Sequence, residues 1–201
     1  HSHDFFLNEP ASSRYKTFNE EIELSQSLIS KNLDIIPQVF SYPYGEFDPE
    51  MKNIVKNAGF RAAAAQNSGV IYTETDLFEC PRFPMSEAYS TLDKFVEKAS
   101  AHALRIVRRS PTDYLLPEHK QPLLTLTIDC TDLRVQQLQC FVQGGECQLR
   151  VIEKKEKEIT VTVQATKPIS GRRRTLYTVT VPDSKGKWYW YSHLWINNKV
   201  D

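Results

Sequence analysis

The chain has 201 residues, 40% of them hydrophobic, which is enough to build one large or two small cores. Its 25 basic and 25 acidic side chains cancel, so there is no broad cationic surface of the kind that non-specific nucleic-acid binding requires. No apolar run approaches the roughly 18–20 residues of a membrane-spanning helix. The opening His1-Ser2-His3-Asp4 lacks a charged leader followed by an apolar core, and the sequence is expected to be cut from a longer polypeptide.

In chain order, Thr17 with Glu20 three residues on reads as a capping box. Phe18, Ile22, Leu28 and Ile29 then supply the apolar face of a helix ending near Lys31. Val39-Phe40-Ser41-Tyr42 reads as a short buried strand stopped by Pro43, which has no N–H to give a ladder. Asp48 and Pro49 form an N-cap and first-turn pair for a second helix that stops at Gly59. Residues 60–65 return as a strand. Ser90 and Asp93 open a third helix whose apolar positions are Leu92, Phe95, Val96, Ala99 and Ala103.

Pro111, Pro117 and Pro122 punctuate a polar stretch in which neither a helix nor a central strand persists. The expected domains are therefore 1–109, a linker over 110–122, and 123–201. Strand-like runs at 123–129, 135–142, 147–152, 159–165, 175–181 and 188–196 suit an antiparallel Ig-like β-sandwich. Charge divides the chain in the same way. Residues 1–108 carry 11 basic and 15 acidic side chains and the remainder 14 and 10, so the two parts differ in sign. The fold class expected is α/β plus all-β. The four cysteines lack the C-x-x-C pairing of a thiolate zinc site. Cys140 and Cys147 flank Gly144-Gly145 in an apparent hairpin, where a cross-strand disulfide in an oxidising compartment and two buried free thiols are both open.

One ordered set of motifs carries chemistry. It consists of Phe40-Ser41-Tyr42-Pro43-Tyr44-Gly45-Glu46-Phe47-Asp48, then Ala58-Gly59-Phe60, then Cys80-Pro81-Arg82-Phe83-Pro84, with Ser2-His3-Asp4-Phe5-Phe6-Leu7 upstream. Over about residues 1–105 this set resembles the polysaccharide deacetylase family, also called carbohydrate esterase family four. The resemblance implies an incomplete (β/α) barrel portion, the C-terminal part of a catalytic domain. It also implies a divalent metal such as zinc, an N-acetylated polysaccharide substrate, and a location in the cell envelope or outside the cell. Tyr44 takes the family's oxyanion-stabilising position, through its backbone N–H. Pro43, Gly45 and Arg82 take positions lining the substrate groove, and His1 and His3 take the place of metal ligands.

The chemistry is that of amide hydrolysis, in which a metal held by imidazoles and a carboxylate activates water and preorganised donors stabilise the tetrahedral oxyanion. The sequence departs from the family at several points. If His3 is the second histidine of the family's H-[ST]-x-x-H segment, the first lies before residue 1; if His1 is the first, its partner position is Phe5. The Asp-Asp segment that supplies the carboxylate ligand and general base is absent, and Ser41-Tyr42 stand where many members have an arginine. The general-acid histidine is not identifiable among His102, His119 and His193. These gaps predict that the piece alone is inactive and that the N-terminal part of the same protein completes it.

The alternative is a non-catalytic carbohydrate-binding or scaffold protein on a degenerate barrel. In the second half, Trp188-Tyr189-Trp190-Tyr191 places two tryptophans on one strand face and two tyrosines on the other. Such a pattern fits core and packing aromatics or a glycan-stacking surface.

Overall fold

The computed structural model describes residues 5–86 and 90–200. Contacts divide the chain into two compact units, one built from the segment up to Gln66 with Thr73–Arg82, the other from Asn67–Tyr72 with Phe83–Val200.

The first unit begins with helix α1, Ala11–Leu33, which starts two turns earlier than a Thr17 cap predicts. Thr17 lies inside it and its hydroxyl donates to the Ser13 carbonyl, 3.2 Å away. The start is fixed by Pro10, whose φ of −56° leads into the first turn. It is fixed also by Arg14, whose guanidinium donates to the Glu9 carbonyl at 2.8 Å and to Asp48 at 3.1 Å. Phe18 and Ile22 are the buried positions of α1, while Leu28 is exposed. Strand β1, Val39–Ser41, pairs in parallel with β2, Ala62–Ala64, in the register Phe40 to Ala63. Helix α2, Pro49–Asn57, makes the crossover between them. It starts where expected: the Asp48 carboxylate accepts from the Met51 N–H at 2.8 Å. A parallel bridge from Ala64 to Cys80 extends the sheet by one position. Val39 and Ser41 are exposed and Phe40 is half-buried, so β1 is not the buried strand expected.

The core of this unit is a chain of rings: Phe18 meets Phe6 and Phe40, Phe40 meets Tyr42 and Phe60, and Tyr42 stacks on Phe47. Aromatic side chains bury large areas and stack or meet edge to face, which lets so short a sheet hold a core. The βα alternation is as expected; among the described residues no closed barrel forms.

The second unit holds helix α3, Leu92–Ala99, capped by the Thr91 hydroxyl. It also holds strands β3, His102–Ala103; β4, Ile106–Ser110; β5, Leu123–Asp129; β6, Gln139–Val142; β7, Cys147–Lys154; β8, Glu158–Ala165; β9, Arg174–Pro182; and β10, Trp188–Ile196. They form two four-stranded sheets, β3-β10-β9-β6 and β4-β5-β8-β7. All pairings are antiparallel except β3 with β10. Alternate residues of both sheets enter one core, among them Leu124, Leu126, Val161, Val163, Val179 and Val181. Five of the six strand-like runs are thus strands, whereas in the sixth, 135–142, Val135–Gln137 is a 3-10 helix and only Gln139–Val142 is strand.

Several details differ from expectation. The third helix ends at Ala99, Leu92, Phe95 and Val96 are exposed, and Ala103 lies in β3. The polypeptide near Arg109 is edge strand β4, paired to β5 within the second unit. The proline-punctuated stretch docks rather than swings. Tyr114 is buried, its carbonyl accepts from the Ile196 N–H at 2.7 Å, and the Leu116 N–H donates to the Ile196 carbonyl at 2.8 Å. Cys140 and Cys147 do form a disulfide, but it joins β6 of one sheet to β7 of the other instead of crossing a paired hairpin.

Candidate functional site

The parallel strand β1 ends in the segment that carries the motif. The Tyr42 N–H donates to the Ala64 carbonyl at 3.2 Å, adding one more rung, and the chain then turns sharply through Pro43–Gly45. The Gly45 N–H donates to the Tyr42 carbonyl at 2.8 Å and the Glu46 N–H to the Pro43 carbonyl at 3.1 Å, closing a 3-10 turn. The loop thus lies beyond the carboxyl ends of parallel strands, where open α/β sheets hold their ligands.

Its backbone is under constraint. Tyr44 has φ 55° and ψ 8°, a left-handed conformation that a non-glycine residue holds only at a cost of about 1–2 kcal/mol. The Phe5 ring stacks on the Tyr44 ring at 4.3 Å. Gly45 also has positive φ, 72°, and a Cβ placed there would sit 2.4 Å from Cγ of Gln66. Glycine is required twice over, for conformation and for space.

Gln66 is the residue that sequence reasoning missed. With its amide oriented to satisfy both ends, its nitrogen donates to the Tyr44 carbonyl at 3.2 Å and its oxygen accepts from Nη2 of Arg82 at 3.1 Å. Arg82 also donates from Nε to the Ala65 carbonyl at 2.9 Å. Pro43, Tyr44, Gly45 and Arg82 are therefore brought together, with Gln66 as the link. The available signal was topological: Gln66 follows the Ala62–Ala64 strand, so it emerges at the same sheet end as the loop after the neighbouring parallel strand. Glu46, buried directly after Gly45, was also not singled out.

Residues 1–63 match the family model for polysaccharide deacetylase. The polysaccharide deacetylase match covers the constrained loop and most of β2, and it ends short of Gln66 and Arg82. It bears out the resemblance read from the motifs. No curated protein and no solved structure matches the chain.

Beside the loop, Tyr42 is structural. Burial, helped by Glu79, Asp76 and Cys80, pushes its phenol well above the ordinary tyrosine value, and its hydroxyl donates to the Phe78 carbonyl at 3.0 Å. Lys52 of α2 clamps the segment leading to Arg82, donating to Glu79 at 2.7 Å and to Asp76 at 2.9 Å. Burial by itself would lower the Lys52 pKa, but the hydrogen bonds to Glu79 and Asp76 outweigh it and hold the ammonium charged. Burial would likewise raise Asp76, yet Lys52 and the Phe78 N–H bring it below the usual carboxylate value.

The metal expectation rests on His1 and His3, which lie outside the described residues. Among the described residues no three His, Cys, Asp or Glu side chains converge to hold an ion. His102 stacks on Tyr189, the His119 ring accepts from the Gln121 N–H, and His193 is buried between the rings of Tyr114 and Trp195. These three histidines do not fit a zinc site.

Proposed function

We propose that the first unit is a portion of the (β/α) barrel of a polysaccharide N-deacetylase, followed by an Ig-like sandwich. The parent enzyme removes acetyl groups from the N-acetylated sugars of a cell-envelope or extracellular polymer. The observation that carries this reading is the coincidence of the 1–63 match with a strained loop at the carboxyl end of a parallel strand. Cleaving an acetamide requires donors aimed at the developing oxyanion, and a turn held open to one geometry is how backbone N–H groups are preorganised for that task. In this reading the Tyr44 N–H faces the oxyanion. Pro43 and Gly45 shape the groove wall, and Arg82 acts through Gln66 as a positioning residue. His1 and His3 supply metal contacts in the parent, zinc or another divalent ion, completed by carboxylates from its N-terminal part.

The test is acetate release from an N-acetylglucosamine oligomer. The 201-residue chain alone is expected to release none, and the same chain joined to its upstream segment with zinc present is expected to do so. Arg82→Ala in the joined protein lowers kcat with little change in KM. No acetate from the joined protein at saturating metal overturns the reading. Acetate from the short chain alone overturns the assignment of the missing acids to upstream sequence.

A further inference from the structure

The outward face of sheet β3-β10-β9-β6 is built as an aromatic platform. Register places Trp190 opposite Thr180 and Thr180 opposite Gln139, so an indole, a hydroxyl and an amide lie in one row across three strands. Trp188 and Phe141 lie on the same face, on either side of that row, about 16 Å apart by strand rise and strand spacing. Tyr189 and Tyr191 point the other way and pack on the core.

Trp190 is held in place: its indole N–H donates to the Ser68 hydroxyl at 3.2 Å, and Lys98 sits 3.9 Å above its ring. Trp188 and Phe141 are left 44% and 52% exposed. Together these residues line a cleft of ≈ 560 Å³ bordered by Glu97 of α3, within the size range of ligand sites.

The chemistry of the cleft selects its occupant. A hydrocarbon covering these rings would strip water from the exposed Gln139 amide and Glu97 carboxylate without replacing their hydrogen bonds. A pyranose offers a flat C–H face for each ring and a rim of hydroxyls for the polar groups. Two lysines border the cleft: Lys98 is paired with Glu97 at 2.6 Å, and Lys187 stands exposed at the rim, where it can donate to a sugar hydroxyl or carbonyl oxygen.

We propose that this cleft binds an N-acetylated oligosaccharide, with Trp188 and Phe141 as stacking platforms and Gln139 hydrogen-bonding its hydroxyls. The choice of an N-acetylated polymer rests on the deacetylase reading of residues 1–63.

The test is titration of the 201-residue chain with the N-acetylglucosamine hexamer, read by tryptophan emission and by calorimetry. The expected result is saturable binding with a change in Trp188 emission. Trp188→Ala and Phe141→Ala, both at half-exposed positions, weaken it about tenfold each, as expected for loss of a ring stack, while their unfolding midpoints stay near the parent value. Absence of saturable binding overturns the proposal, and so does unchanged affinity in both variants. Binding requires no turnover, so the two readings fail separately. A chain that binds the hexamer while the joined protein releases no acetate overturns the deacetylase reading alone. An acetate-releasing protein whose affinity ignores both substitutions overturns the cleft alone.

Discussion

His193 makes the stability of the second unit depend on pH in a window where few other groups titrate. It lies in β10 with 0% exposure, its ring 4.9 Å from Tyr114 and nearly parallel to it, and 4.4 Å from Trp195. Neither ring nitrogen has a hydrogen-bond partner. Burial first, and the Arg109 charge second, hold its pKa well below the ordinary value of 6.5. The folded state therefore stays neutral where the unfolded chain, at about 6.5, takes up a proton. The unfolded state binds more protons, so stability is complete above pH 6.5 and is lost as pH falls below it. At pH 5.5 the loss comes to about 1.4 kcal/mol relative to pH 8, and the slope approaches about 1.4 kcal/mol per pH unit. Asp129 does not intrude: Thr131 donates to it from its hydroxyl and its N–H and holds it below the usual carboxylate value, so it titrates at lower pH. The assay is urea unfolding between pH 5.5 and 8 followed by tryptophan emission. All three tryptophans, Trp188, Trp190 and Trp195, lie in the second unit, so the signal reports it alone. His193→Phe keeps the ring stack and removes the titration, and its stability line is expected to be flat where the parent line falls. Parallel lines for the two proteins would refute the argument, as would a parent that gains stability on acidification.

Two further outcomes follow from the backbone and the disulfide. Gly45→Ala and Gly59→Ala both force a side chain onto positive φ, at about 1–2 kcal/mol, but only at Gly45 does the new Cβ meet another residue, Gln66 at 2.4 Å, Gly59 having open space. Hydrogen exchange over residues 39–66 should show the larger loss of protection for Gly45→Ala, and equal losses would remove Gln66 from the account. Cys140 and Cys147, seven positions apart, close a short loop, for which the chain-entropy argument gives about 2.5 kcal/mol. Replacing both by serine should lower the urea midpoint of the tryptophan transition, and an unchanged midpoint would show that the two sheets hold without the link.

What was readable in the sequence was what local chemistry decides. Asp48-Pro49 opens α2 because a carboxylate before a proline is an N-cap in almost any surroundings, and the strand-like run at 159–165 is β8, where one face on the core buries every second residue. Where tertiary contacts decided, the reading slipped. The Thr17 and Glu20 pair has the letters of a capping box, but Arg14 reaches Asp48 and fixes the helix start upstream. Residues 102–110 are short runs at the edges of two sheets, with too few positions to show a period, so Ala103 reads with the preceding helix and no strand is expected there. The motif residues of the loop were identified by type, whereas Gln66 carries no motif and becomes visible only when β1 and β2 are set side by side.

The loop's shape is accordingly not a property of its own three residues. Tyr44 holds a left-handed conformation because its carbonyl is engaged by Gln66, and Gln66 can approach only because residue 45 has no side chain. Arg82 fixes the far side of the same amide and is itself tied to the carbonyl that ends β2. The segment that brings Arg82 in is pinned in turn by Lys52, which grips Asp76 and Glu79 from the helix following the loop. The strain at Tyr44 is thus balanced by contacts from residues 52 to 82, mostly beyond the stretch that matches the deacetylase family. A Pro-Tyr-Gly triplet without a glutamine and an arginine placed in this way would relax to an ordinary turn, and the Tyr N–H would lose the fixed direction on which the oxyanion role proposed for it depends.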